Sequence, residues 1–279
     1  MEDIITIEGL NYKILDTKLE RNSGGRLDKI WIKSIDNGLE YLVKSSTYTG
    51  LEPYSEVMAY QIGTALGFPV AEYWLADIKP FRGILRSPAR CRKVSICKRV
   101  DGNGTIIKSV KQIKDMFNER ELLMQSDKRY TNTETSKIVM NKEFFDSMIL
   151  FDAIIGNKDR HWRNVHLLYG YDGSFLDCPF IDNGDSLLAT DILGGIGRLS
   201  SSVANKLNKS CTLARTHDKQ VESITTISFD KNTIDLDLIV SRALTSIEPT
   251  LSLLPKGRRI AIRHYLAYRI RKYYSILSK

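Results

Sequence analysis

Phe151-Asp-Ala-Ile-Ile-Gly-Asn-Lys-Asp-Arg-His-Trp-Arg-Asn-Val-His-Leu-Leu168, with Pro179-Phe-Ile-Asp-Asn-Gly-Asp185 close behind it, is the stretch around which the rest of the chain is organised. An apolar helical run stops at Gly156, a polar loop carries Asp159, Arg160, His161 and Asn164, and a strand-like Val165–Tyr169 follows. Transfer of a phosphoryl group from ATP needs a carboxylate that orients the acceptor hydroxyl, together with oxygen ligands that hold Mg²⁺ on the phosphates. Asp159 suits the first task, and Asn164 and Asp182 suit the second. The turn signal Asp172-Gly173 predicts a hairpin that folds the strand leaving Asn164 back on itself and brings Asp182 beside Asn164. Each of these residues alone is ordinary turn chemistry, and Asp182-Asn-Gly by itself reads as a plain turn. Their coincidence in this order is much rarer, and it points to a kinase.

Gly156-Asn-Lys-Asp-Arg-His-Trp-Arg-Asn164, followed by Phe180-Ile-Asp-Asn-Gly184, resembles the catalytic and metal-binding loops of the HipA-like serine/threonine kinases, the CtkA-like group among them. It is also similar to the Asp-Arg-His-x-x-Asn and Ile-Asp-Phe-Gly loops of phosphatidylinositol kinases, which makes a lipid the rival substrate. The HipA-like resemblance runs in order over roughly residues 20–279, but only 151–185 is specific. It implies an α+β, two-lobed protein-kinase-like fold with ATP and Mg²⁺ as cofactors, a protein substrate with a serine or threonine acceptor, and a small antitoxin as a partner. Under it Asp159 orients the hydroxyl, Lys44 steadies the phosphates, and His161 braces the loop by hydrogen bonds. Asn164 and Asp182 hold the metal. Two departures stand out: Asn183 occupies the place of the phenylalanine found in many kinases, and Asp159-Arg160-His161 reverses the His-Arg-Asp order of eukaryotic protein kinases. Compared with the longest HipA proteins, an additional N-terminal subdomain is not expected, and no DNA-binding module is recognisable.

Composition is that of an ordinary globular protein: 279 residues, 42% hydrophobic and 27% charged, enough to bury a sizeable core in one or two lobes. The net charge of +8 suits nucleotide phosphates, an acidic partner, nucleic acid or an anionic membrane surface, and does not choose among them. Four scattered cysteines without C-x-x-C spacing, and only four histidines, argue against structural zinc and for reduced thiols in a cytoplasmic setting. Neither a signal peptide nor an apolar run of about 18 residues is present, so membrane association is not expected.

Ahead of the catalytic stretch, residues 1–20 read as one or two strands. Arg21-Asn-Ser-Gly-Gly-Arg-Leu-Asp-Lys29 then offers a loop in which Ser23, Gly24 and Gly25 either bring backbone amides to phosphates or form a simple hairpin turn. In Leu39-Glu-Tyr-Leu-Val-Lys44 the alternation puts Leu39, Tyr41 and Val43 on one face and Glu40, Leu42 and Lys44 on the other. Pro53 and Gly67 bound a helix whose Glu56 is either a partner for Lys44 or an exposed acid favoured by the helix dipole. Strands over Phe68–Ile78 and Lys93–Val100 close this part. A hinge follows at Asp101-Gly-Asn-Gly104, where the resemblance implies that the backbone of Lys98, Arg99 and Val100 faces the adenine edge. The expected division is 1–103 and 104–279. Beyond it helices are predicted over 107–125, 142–155, 233–246 and 255–278, the last basic and amphipathic with its apolar side toward the core. A phosphate on Ser23, placed near the γ-phosphate, would oppose ATP binding. A non-catalytic nucleotide-binding module and a basic nucleic-acid binder remain the other classes open at this stage.

Overall fold

A computed structural model describes residues 4–15, 28–46, 49–85, 91–102, 104–191 and 207–278. Six strands form an antiparallel N-terminal sheet: β1 (Ile4–Ile7), β2 (Leu10–Ile14), β3 (Lys29–Ser34), β4 (Glu40–Lys44), β5 (Tyr73–Asp77) and β6 (Lys93–Lys98), in the order β1-β2-β3-β4-β6-β5. The predicted alternation of β4 holds. Tyr41 and Val43 join Ile30, Ile32, Phe81 and Ile96 in a core on one side of the sheet, and Leu42 and Lys44 face the other. Helix α1 (Glu52–Leu66) has Pro53 in its first turn and ends on Gly67 in the left-handed conformation, as the sequence signals. Its Met58, Ala59 and Ile62 belong to the large core of the C-terminal part, while Val57 packs with Ala71, Tyr73 and Cys97 beneath the sheet. Helix α1 is thus cemented to both halves.

The stretch after the hinge differs from the helical expectation. Thr105–Ser109 is a strand, β7, in a second antiparallel sheet with β8 (His166–Gly170) and β9 (Phe175–Asp177), and helix α2 begins only at Val110 and runs to Leu123. Two β-branched isoleucines pair with β8, and Ser109 then closes a capping box with Gln112 that sets the true helix start. Thr131 and Glu134 make a second capping box for α3 (Asn132–Val139), a helix not predicted above although its Thr-x-x-Glu signature is plain. Helix α4 (Lys142–Ile155) spans the predicted residues and stops at Gly156. The short α5 (His217–Val221), α6 (Leu236–Leu251) and α7 (Lys256–Leu277) complete the described helices, and α7 buries Ile262, Tyr265, Leu266, Ile270 and Tyr273. Among the described residues no helix is long and apolar enough to cross a membrane.

The end of α4 is the point where the fold delivers the catalytic stretch. Gly156 has φ +67, and a methyl group there would lie 1.9 Å from Tyr265 Oη, so both conformation and space demand glycine. Gly156→Ala should therefore destabilise the protein by roughly 2 kcal/mol or more, seen as a lower urea midpoint at unchanged slope. Tyr265→Phe in that background should recover part of the loss. An unchanged midpoint would show that α4 ends in a looser packing than described.

Candidate active site

Lys44, at the end of β4, is buried and donates to three acceptors: Glu56 Oε1 at 2.8 Å, Tyr73 Oη at 3.1 Å and Asp182 Oδ1 at 3.0 Å. Of the two readings of Glu56, the structure takes the partner of Lys44. Burial opposes the lysine's charge, yet the Asp182 and Glu56 carboxylates outweigh it and hold the ammonium well above the usual lysine range. Lys44 in turn holds Asp182 well below the usual carboxylate range, against the opposing effect of burial. The second oxygen of Glu56 accepts the Asn183 backbone N–H at 2.8 Å, and Ser55 Oγ donates to Ser186 O at 2.9 Å, so α1 grips the Asp-Asn-Gly loop at two points.

Below this cluster, Asp172-Gly173 makes the predicted hairpin turn, with Gly173 at φ +86, and folds β9 back along β8. The side chain that joins Asn164 to Asp182 is one that sequence reasoning left unassigned. Arg160, 2% exposed, donates to both carboxylate oxygens of the equally buried Asp152 (2.9 and 3.1 Å), to Asn164 O (3.0 Å), Ile181 O (2.6 Å) and Asn183 Oδ1 (2.6 Å). Asn157 Nδ2 adds a bond to Asp152 Oδ1 at 3.1 Å. Burial raises the Asp152 pKa, with Arg160 opposing; the Asp152 carboxylate keeps Arg160 fully charged despite its burial. The legible signal was Asp152 itself, an acid beside the apolar face of α4.

Asp159 is exposed. Its backbone N–H bonds Asn157 Oδ1 at 3.0 Å, and its carbonyl and carboxylate oxygens accept from Asn164 Nδ2 at 2.8 and 3.2 Å. That leaves Asn164 Oδ1 and the outer oxygen of Asp182 as donors suited to Mg²⁺, a hard cation that takes one or two protein oxygens together with substrate phosphates. Among the described residues no group of three His, Cys, Asp or Glu side chains forms a self-sufficient metal cage. His161 braces the loop through its main chain, by N–H to Asp159 O at 2.8 Å and by O from Asn164 N at 2.7 Å. Its ring Nε2 stands 3.7 Å from Asp159 Oδ1, and its buried Nδ1 has no hydrogen-bond partner among the described residues. Lys158 ties the loop to the chain that follows the Asp-Asn-Gly turn, through Asp191 at 2.9 Å and Thr190 at 3.1 Å.

After β6, Val100 packs against the cluster of Val57, Ala71, Tyr73 and Cys97, as does Ile181. Arg99 N–H is taken by Glu40 O at 2.9 Å, so this amide is not available to a base, and the Arg99 guanidinium binds Glu40 and Asp101 over the ring of Trp31. Lys98 is exposed at the end of β6. Ser23, Gly24 and Gly25 lie outside the described residues. His166, two positions after Asn164, was not singled out; burial lowers its pKa to about 4, and its Nδ1 lies buried without a hydrogen-bond partner.

An antiparallel sheet with one gripping helix, joined to a helical part that carries the β8–β9 hairpin, is a protein-kinase-like α+β fold. Among solved structures the chain is similar to the proinflammatory kinase CtkA of Helicobacter pylori, with a TM-score of 0.59 and 18% identity over 91% of this chain and 93% of that one. It is also similar to HipA in the complex of the Shewanella oneidensis MR-1 toxin–antitoxin proteins HipA and HipB with operator DNA, with a TM-score of 0.50 and 14% identity over 90% of this chain and 65% of that one. At such identities the likeness is one of fold. No protein-family model and no curated protein matches the sequence.

Breaking the Asp152–Arg160 pair from one side strands a buried charge. Asp152→Ala and Arg160→Met should each cost about 3–5 kcal/mol, and the double variant should cost less than their sum, measured by chemical denaturation. Additive losses would mean that the two side chains are not energetically coupled.

Proposed function

We propose that this protein is an ATP- and Mg²⁺-dependent phosphotransferase that phosphorylates serine or threonine hydroxyls of a protein. The observation that carries this reading is the meeting of Glu56 and Asp182 on the buried Lys44 ammonium, with the exposed Asp159 bonded by Asn164 on the neighbouring loop. In this reading the lobes divide at 103/104, with the nucleotide between them and its base beside Val100. Lys44 holds the phosphates. Asn164 Oδ1 and Asp182 hold Mg²⁺, which when bound supplies charge neutralisation on the transferring group. Asp159 accepts a hydrogen bond from the acceptor hydroxyl, orients it and receives its proton. Asn183, where many kinases place phenylalanine, is here a polar anchor on Arg160. The likeness to HipA, whose solved complex contains HipB, supports a small antitoxin-like protein as partner.

Incubation with γ-labelled ATP, Mg²⁺ and a cell lysate tests the reading. Asp159→Asn should lower transfer to protein by about 10²–10⁴-fold while ATP still binds. Asp182→Ala should weaken Mg²⁺-dependent nucleotide binding as well as turnover. Label appearing in inositol lipid instead of protein would reassign the substrate, and near-normal transfer by Asp159→Asn would remove that residue from its role.

A further inference from the structure

Lys44 is not alone on its face of the sheet. Strands β3 and β4 are antiparallel with Lys29 directly opposite Lys44, and directly opposed residues send their side chains to the same face with Cβ atoms about 4.5–5.5 Å apart. Along β3, Ile30 and Ile32 enter the core on the far side, which leaves Lys29 and Trp31 on the cleft side with Leu42 and Lys44. Lys29 is half-buried there, and its ammonium is a further positive charge acting on Asp182, after Lys44.

The two lysines are in different situations. Lys44 has three acceptors, whereas among the described residues the Lys29 side chain has neither an ion pair nor a hydrogen bond. Like charges directly opposed across a strand pair repel, and nothing in the fold of β3 requires a cation at its first residue. The buried Nδ1 of His166, on β8, is without a hydrogen-bond partner among the described residues. Lys29 therefore brings to the neighbourhood of Lys44 and Asp182 an ammonium without an ion pair among the described residues, which suits a multiply charged oxyanion.

We infer that Lys29 is a second phosphate-binding lysine, placed beside Lys44 to hold the polyphosphate of the bound nucleotide. The inference rests on the proposed nucleotide-binding function and adds to it a ligand from β3. Lys44, locked between Glu56 and Asp182, orients the phosphates from the sheet's end, and Lys29 supplies the mobile charge that closes over them.

Calorimetric titration of the full-length protein in Mg²⁺ with ATP, adenosine and inorganic tripolyphosphate tests it. Lys29→Met should weaken ATP and tripolyphosphate binding by about tenfold or more, the range of a charge-assisted hydrogen bond, and leave adenosine binding unchanged. Lys29→Arg should restore most of the loss. Lys33→Met, on the same face of β3 but 4.0 Å from Glu40, should bind all three ligands like the parent, which separates a local contact from a general change in charge. Unaltered thermal melting of Lys29→Met checks that the fold is intact. Parent-like ATP affinity in Lys29→Met would overturn the inference and leave the nucleotide reading standing, and an equal loss for adenosine would assign Lys29 to the shape of the cleft. A parent protein that binds neither ATP nor tripolyphosphate would overturn the proposed function, and this inference with it.

Discussion

A guanidinium can be buried only if nearly all its N–H groups find acceptors, and Arg160 meets that condition by reaching three separate pieces of chain: Asp152 on α4, Asn164 on the catalytic loop, and Ile181 and Asn183 on the Asp-Asn-Gly loop. The desolvation cost makes the arrangement all or nothing. Remove one acceptor and a strong donor is left in a dry interior; keep them all and the two loops are locked at one separation. A lysine could not substitute, since its single nitrogen lacks the planar fork that spans acceptors in different directions. Arg160 thereby fixes the chain at Asn164 and on both sides of Asp182, at Ile181 and Asn183.

The second layer of order is electrostatic. Lys44 sits between two carboxylates, one from the helix that is packed into both cores and one from the loop that Arg160 fixes. Because Glu56 of α1 accepts from Lys44 Nζ through one carboxylate oxygen and from the Asn183 N–H through the other, the sheet, the helix and the Asp-Asn-Gly loop are held by a single chain of hydrogen bonds. Such a site has its charges placed before any ligand arrives, which is how positioned dipoles and ions contribute most to phosphoryl transfer. Asn183 gives the loop a hydrogen-bonded anchor on Arg160, so the aromatic packing that a phenylalanine at this position would supply is replaced by polar contacts.

Local signals carried much of the structure. The caps of α1 and α4, the two-residue alternation of β4, the Asp172-Gly173 turn and the extent of α7 are short-range features set by backbone conformation and side-chain period, and each stands where the sequence places it, although Arg269, expected on the solvated face of α7, is buried and donates to Ala153 O and Leu207 O. The misreading of 105–109 has the opposite origin. Thr-Ile-Ile-Lys-Ser has no helical or strand period long enough to decide, and it becomes a strand because β8 is there to pair with. No local signal marks Arg160 as the side chain that turns inward, since nothing in the sequence distinguishes it from the adjacent polar His161.

By itself the sequence determined local features: the helix ends at Gly67 and Gly156, the alternation that sets Lys44 on one face of β4, the Asp172-Gly173 turn, and the order in which Lys44, Glu56, Asp159, Asn164 and Asp182 follow one another, because residue type and spacing are local properties. Only the tertiary structure decided which acid pairs with Lys44, that Asp152 and Asn183 serve Arg160, and that Lys29 stands opposite Lys44 across the β3–β4 pair. Those choices depend on burial. A polar side chain takes a definite partner only where water has been excluded, and what excludes the water is the packing of segments more than a hundred residues apart, as in the bonds between Lys44 and Asp182 and between Glu56 and Asn183.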